Sequence, residues 1–242
     1  MSGHSKWSQI KRQKGKSDVR KGLTFTKLSN ALTLAVKQGG GIPDPDKNFR
    51  LRLAVDVARA ANMPKENIAK AIQRAVRKEA GDIHEVIYEG FAPAGVAMII
   101  EAATDNPQRT TAEIKSIFNK SGASFGQPGS VSYQFEQIGR VEIEKGKKTF
   151  DEIFSVAAES GAEDIEDVGE SVVIYTKTSD LAEVKNALTK SGLNVVDARI
   201  WRKPNVSVAV GDPGKLGRVK EFIETINNLD DVQNVYSNLK EA

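Results

Sequence analysis

The chain has no cysteine. Disulfides, thiolate metal sites and a cysteine nucleophile are therefore excluded, and a reducing compartment fits. It has two histidines, His4 and His84, and neither has a second histidine near it in sequence. A histidine triad or a two-histidine metal site would need both to meet in space. No apolar run approaches the roughly 18 residues that span a bilayer, so no membrane partner is expected. The first residues lack the apolar core of a secretory signal. They are basic, contain serine and are poor in acid, a faint likeness to a mitochondrial transit peptide. Acid is the most telling shortage, because none appears before Asp18.

Before that point the run Gly3 to Lys16 carries Lys6, Lys11, Arg12, Lys14 and Lys16 around Trp7, and Arg20, Lys21 and Lys27 follow. Ammonium and guanidinium groups neutralise phosphates and release counterions, and an indole can stack on a base. A solvated tail is the plain alternative, and Trp7 could equally anchor a first helix in a core. Residues 1–80 hold 18 Lys and Arg against 6 Asp and Glu, a surplus of 12, whereas residues 81–242 hold 17 against 26, a deficit of 9. That polarity is the footprint of a basic nucleic-acid-binding module joined to acidic domains with another task.

Residues 1–81 read as a basic helical domain. A first helix is predicted from Lys6 to about Arg20, and a second from Leu23 to Gln38, with Leu28, Leu32, Ala35 and Val36 at helical spacing. Gly39-Gly40-Gly41 stops it. The triple glycine is either a plain stop before a connector or a loop whose bare backbone approaches a phosphate closely. Asp44-Pro45-Asp46 offers an N-cap to a third helix over 47–61, with Leu51, Val55 and Ala58 inward and Arg50, Arg52 and Arg59 on other faces. Pro64 and Glu66 open a fourth, whose stripe is Ile68, Ala71, Ile72 and Ala75. An antiparallel bundle is the expected packing.

After Gly81 the pattern turns to strands: 85–91 and 96–102, then a capping box at Thr110 and Glu113, then a strand over 131–135. Residues 140–202 read strand-helix-strand-strand-helix-strand, a ferredoxin-like unit. Strands over 206–210 and 232–237 flank a helix from Asp212. The fold class is thus multidomain α and α+β, with a basic helical bundle followed by two ferredoxin-like domains. The expected division is 1–81, then 82–138 plus 204–242, with 139–203 inserted; a serial order of three domains is the alternative.

Chemistry is sparse. Gly211 to Leu216 has Leu where a phosphate loop needs Ser or Thr for magnesium, so that reading is rejected. The acids Glu163, Asp164, Glu166, Asp167 and Glu170 lack calcium-loop spacing and suit a solvated strand edge. Asn106 and Arg109 before a helix could hold a phosphate or carboxylate, or simply connect strand to helix. No paired carboxylates stand out. No catalytic residue, metal or cofactor is therefore expected, and an enzyme with an inter-domain site is the alternative.

Several segments carry a resemblance. Gly3-His4-Ser5-Lys6-Trp7, Phe25-Thr26-Lys27-Leu28, Gly39-Gly40-Gly41 with Pro43-Asp44, Arg50-Leu51-Arg52-Leu53-Ala54, Ala60-Ala61-Asn62-Met63-Pro64-Lys65, Tyr88-Glu89-Gly90 and Gly129-Ser130-Val131 resemble the YebC/PmpR family. That family includes the translational activator of mitochondrial cytochrome c oxidase subunit I. The resemblance implies three domains and a non-enzymatic, cytoplasmic role. It implies either DNA-binding transcription regulation or ribosome-associated translation regulation that eases synthesis through proline-rich stretches. Three segments depart from the family pattern: Phe91 to Gly95 and Arg77 to Ala80 are less glycine-rich, and Pro107 and Gln108 dilute an arginine-rich turn before Arg109. The expected partners are DNA, ribosomal RNA or tRNA, and the ribosome, with the chain a monomer. The expected contact residues are His4, Lys6, Trp7, Lys11, Arg12, Lys14, Lys16, Arg20, Lys21, Lys27, Gly39, Gly40, Gly41, Arg50 and Arg52. Asn48, Arg50 and Arg52 are the modest candidates for reading duplex bases, and their scarcity favours backbone or RNA recognition.

Overall fold

A computed structural model describes residues 18–77 and 83–240, with side chains from Thr24 onward. Leucine, alanine and valine at three- and four-residue spacing make three helices at the start. These are α1 (Asp18–Gln38), α2 (Phe49–Ala60) and α3 (Lys65–Val76). Leu28, Leu32, Ala35 and Val36 of α1 meet Leu51, Val55 and Ala58 of α2 and Ile68, Ala71 and Ala75 of α3 in one buried cluster. Each helix therefore buries one stripe, at about 1.5–3 kcal/mol for each large side chain.

Two boundaries differ from expectation here. A break between Arg20 and Leu23 is absent, because α1 runs through Gly22 without interruption; a lone glycine weakens a helix without stopping it. The N-cap of α2 is Asn48, whose side chain accepts from the Leu51 N–H. Asp44 instead closes the preceding turn, accepting from the Asp46 N–H at 3.0 Å.

The remaining elements are β1 (His84–Phe91), β2 (Ala97–Thr104), α4 (Pro107–Ser121), β3 (Ser124–Phe125), β4 (Phe135–Glu144), α5 (Phe150–Glu159), β5 (Asp164–Asp167), β6 (Ser171–Thr176), α6 (Leu181–Lys190), β7 (Asn194–Pro204), β8 (Val208–Ala209), α7 (Pro213–Asn227), β9 (Val232–Ser237) and β10 (Leu239–Lys240). The described chain divides into two compact units. One holds residues 136–203, and the other holds the helices α1 to α3 with residues 83–135 and 204–239.

In the larger unit the sheet order is β3-β1-β2-β9. The β1 and β2 pair is antiparallel and in register from His84 opposite Thr104 to Phe91 opposite Ala97. Phe118 of α4 is fully buried and meets Phe222 of α7 edge-on at 4.9 Å and Phe125 of β3 at 5.5 Å. Gly90 lets Phe118 approach, since a Cβ there would lie 2.7 Å from its ring and 2.6 Å from the Ser124 carbonyl. The helix α4 begins at Pro107 with Asn106 as its N-cap, not at the Thr110 capping box, because proline favours the first helical position. The expected strand at 131–135 is a 3-10 turn at Ser132–Gln134 before β4 starts. The expected strand at 206–210 is the short β8, which pairs with β10 rather than joining this sheet.

In the smaller unit the order is β5-β6-β4-β7. Both connections through α5 and α6 skip one strand, the arrangement of a split pair of βαβ units. Thr149 and Glu152 form a reciprocal capping box on α5. One sheet face carries a buried polar ladder. Arg140 bonds to Glu142 at 3.2 Å and to Asp197 at 3.5 Å, and its guanidinium lies 5.4 Å from the Trp201 ring centre. The acids of β5 are paired: Asp164 takes Lys203 at 2.7 Å, and Asp167 takes Lys145. Both carboxyls are held below the usual aspartate range, first by those lysine hydrogen bonds. No group of acids and histidines among the described residues is arranged to hold a metal ion.

Candidate nucleic-acid interface

The glycine-rich loop after α1 is built rather than slack. Asn48 sits buried beneath it and donates from Nδ2 to the carbonyls of Ala35 and Ile42, each at 3.0 Å, while its Oδ1 accepts from Leu51 at 3.1 Å. Gly39 leaves room for that side chain; a Cβ at Gly39 would fall on the Asn48 carboxamide. Gly40 (φ +73°) and Gly41 (φ +79°) take the left-handed conformation that bends the chain back, and both face open space. The loop thus presents bare backbone and an exposed Ile42 at its tip.

Arg50 and Arg52 do not project freely from α2. Arg52 donates from Nε to Pro45 O at 2.9 Å and from Nη2 to Asp46 O at 2.7 Å. Arg50 Nη1 reaches Gln38 Oε1 at 2.9 Å. Arg52 thus holds the turn before α2, and Arg50 ties α2 to the end of α1. Lys27 donates to the Asn227 carbonyl at the end of α7. The structure therefore gathers Gly39, Gly40, Gly41, Arg50 and Arg52 around one loop and sets Lys27 apart from them. Arg20 and Lys21 lie on the first turn of α1. His4, Lys6, Trp7, Lys11, Arg12, Lys14 and Lys16 lie outside the described residues. The exposed faces of α2 and α3 add Arg59, Lys65, Lys70, Arg74 and Arg77. None of these was among the contact residues expected from the sequence, because charge on a helix exterior looks the same whether it binds or merely dissolves.

Arg109 belongs to a separate cluster. The carboxylate of Asp231, just before β9, accepts from Thr104 Oγ1 at 3.0 Å, Thr110 Oγ1 at 2.6 Å and Arg109 Nη2 at 3.0 Å. Arg109 also reaches Asp105 at 3.0 Å. Burial pushes the Asp231 carboxyl up, but those donors outweigh it and hold the group below the usual aspartate value. The cluster borders an open cleft of about 550 Å³ whose lining includes Asn30, Arg74 and Glu113. With three donors from β2 and α4 on one of its oxygens, the Asp231 carboxylate is suited to joining those elements to the chain that enters β9.

Together these features define a class: a protein of helices and antiparallel sheets whose cationic helical end carries a braced glycine loop. No helix among the described residues is long and apolar enough to cross a membrane. The chain belongs to the TACO1/YebC family: the model of that family's N-terminal domain matches residues 5–78, and the model of its second and third domains matches residues 83–239. A relative in Roseiflexus castenholzii is 46% identical, aligned over 99% of this chain and 95% of its own. Another in Methylacidiphilum infernorum is 42% identical over 98% and 95%. Both carry the name "Probable transcriptional regulatory protein". The crystal structure of the conserved hypothetical protein Aq1575 from Aquifex aeolicus is similar at a TM-score of 0.88 and 40% identity, covering 97% of this chain and 96% of that one.

Proposed function

We propose that this chain is a regulator of gene expression that grips the phosphate backbone of a nucleic acid through its basic N-terminal part and performs no chemistry of its own. The observation that carries this is the partition of charge, a surplus of 12 cations in residues 1–80 against a deficit of 9 in residues 81–242. The regulatory names of its relatives agree. In this reading the chain has three parts: a basic helical bundle at 1–81, an α+β domain of 82–138 plus 204–242, and a ferredoxin-like domain at 139–203 inserted within it. The strand orders of the two sheets support the separation of 139–203 from the rest. It acts in the cytoplasm as a monomer without cofactor or metal.

The loop geometry favours backbone or structured-RNA recognition over base reading in a duplex. Arg50 and Arg52, the candidates for reading bases, are engaged with Gln38 and with loop carbonyls. A ribosome-associated translation factor is therefore the favoured form, and a DNA-bound transcription regulator the competing one.

The deciding experiment sediments the untagged protein in a sucrose gradient of lysate at moderate salt, beside a variant with Lys11, Arg12, Lys14 and Lys16 changed to Glu. Co-migration with ribosomes, lost in the variant, is expected. Retention at the top of the gradient with selective binding of one DNA fragment would favour the transcription reading. Absence of binding to either would overturn the proposal.

A further inference from the structure

Both faces of the smaller unit's sheet are buried at their centre, and α5 and α6 account for one. Gly139 of β4 points at the helices, since a Cβ there would lie 3.0 Å from the Leu181 side chain of α6. Side chains alternate along a strand, so Ile138, Arg140, Glu142 and Glu144 lie on the other face. Cross-strand pairing adds Tyr175, Val173 and Ser171 of β6 opposite Arg140, Glu142 and Glu144, and then Asp164 and Glu166 of β5 opposite Tyr175 and Val173. From β7 come Asp197 and Trp201 against Arg140, Arg199 against Asp197, and Lys203, whose Nζ lies 4.1 Å from the Tyr175 ring centre.

This second face is buried more deeply than a sheet surface open to water. Arg140 is 3% exposed, Glu142 2%, Val173 1% and Tyr175 5%. Ile138, Val173 and Tyr175 form an apolar cluster on which Val168 and Trp201 pack. The helices lie on the opposite side and do not supply that cover.

We propose that the basic segment 3–16 of the same chain docks on this face and that nucleic acid displaces it. Charge selects the occupant. The face carries Glu142, Glu144, Asp164, Glu166 and Asp197 against Arg140, Arg199 and Lys203, an excess of carboxylate. The segment carries Lys6, Lys11, Arg12, Lys14 and Lys16 and no acid. The same excess disfavours a phosphate backbone here. Apolar character agrees: Trp7 and Ile10, three residues apart, share one side of the helix expected there and suit the cluster of Ile138, Val173 and Tyr175. Length permits it, because the 17 residues before α1 extend to roughly 55–60 Å, about twice the diameter of a small domain. When docked, the segment's cations face carboxylates and are withheld from phosphate. The inference rests on the reading of the basic part given above and adds its regulation, an internal competitor for the nucleic acid.

The chain has no cysteine of its own, so an introduced pair reports the contact cleanly. The full chain carrying Ser8→Cys and Glu166→Cys is oxidised with diamide at low protein concentration and compared with Ser8→Cys and Ser155→Cys, whose second site is exposed on α5, an element of the opposite face. The expected result is a disulfide within one chain for the first pair and little for the second. Changing Lys11, Arg12, Lys14 and Lys16 to Glu should abolish it, and a saturating RNA hairpin or DNA duplex should prevent it. Once formed, the disulfide should weaken binding of that same nucleic acid at least about tenfold, with recovery on reduction. Equal yields from the two pairs, disulfides only between copies, or a yield that nucleic acid does not change would each overturn the proposal. If the reduced parent chain binds neither nucleic acid, the reading of the basic part fails, while the yields of the two pairs still report the docking on their own.

Discussion

Asn48 shows how much one residue can hold. Its carboxamide caps α2 and ties the glycine loop to the end of α1 through three hydrogen bonds. Asn48→Ala removes the cap and leaves the Ala35 and Ile42 carbonyls short of a donor, so a loss of about 2–3 kcal/mol is expected by urea unfolding. Asn48→Asp should recover only the cap, because a carboxylate cannot donate to the two carbonyls. At Glu89, burial pushes the carboxyl up while the N–H groups of Gly129, Val131 and Ser132 outweigh it and hold the group below its ordinary value of 4.5. Asp231 is likewise held below 3.8, with Thr110, Arg109 and Thr104 outweighing burial. A depressed carboxyl contributes its stability above the unfolded value and loses it as pH falls through the folded one. The thermal midpoint should therefore decline on acidification below those two values. Glu89→Gln and Asp231→Asn should each start lower and decline less steeply, measured by circular dichroism across a pH series.

At the scale of elements, the spacing of apolar residues was enough to place the helices, because each buries one stripe: Leu28, Leu32 and Val36 in α1, or Ile68, Ala71 and Ala75 in α3, lie where periodicity put them. Boundaries were harder. Around α4 the sequence offers two starts, Asn106-Pro107 and Thr110 with Glu113. The structure uses the first, with proline at the first helical position, and the Thr110 hydroxyl turns to Thr104 and to Asp231, 121 residues downstream, partners that local pattern does not show. The turn at Ser132–Gln134 was missed for a similar reason, since the N–H groups of Val131 and Ser132 go to the Glu89 side chain rather than to a neighbouring strand. The glycine loop gives a graded prediction. Gly39→Ala drives a methyl into Asn48 and should cost more than Gly40→Ala or Gly41→Ala, which meet no atom and pay about 1–2 kcal/mol for a left-handed alanine. Urea midpoints of the three variants check the order.

For the molecule as a whole, the cationic end was legible as charge, but the work of Arg50 and Arg52 was not. Their acceptors are mostly backbone carbonyls, which have no signature in sequence. Backbone gripping makes a quantitative prediction about salt. Each phosphate neutralised contributes about 0.9 to the slope of log affinity against log salt on duplex DNA, and about 0.7 on single strands. Replacing Lys11, Arg12, Lys14 and Lys16 by Glu should flatten that slope by about 3–4 if all four contact phosphate, as read by fluorescence anisotropy over a salt series. Arg50→Gln should leave it almost unchanged and act on loop stability instead. The route of the chain between its two units has a further consequence. It leaves the larger unit after Phe135 and re-enters at Pro204, where the Asn205 N–H meets Gln134 O at 2.8 Å and β4 and β7 run as sheet neighbours. The larger unit is thus made of two separate stretches of chain whose ends at Gln134 and Asn205 already meet, so closing them on a short turn in place of 136–203 should leave its sheet intact, as circular dichroism of the shortened chain would show.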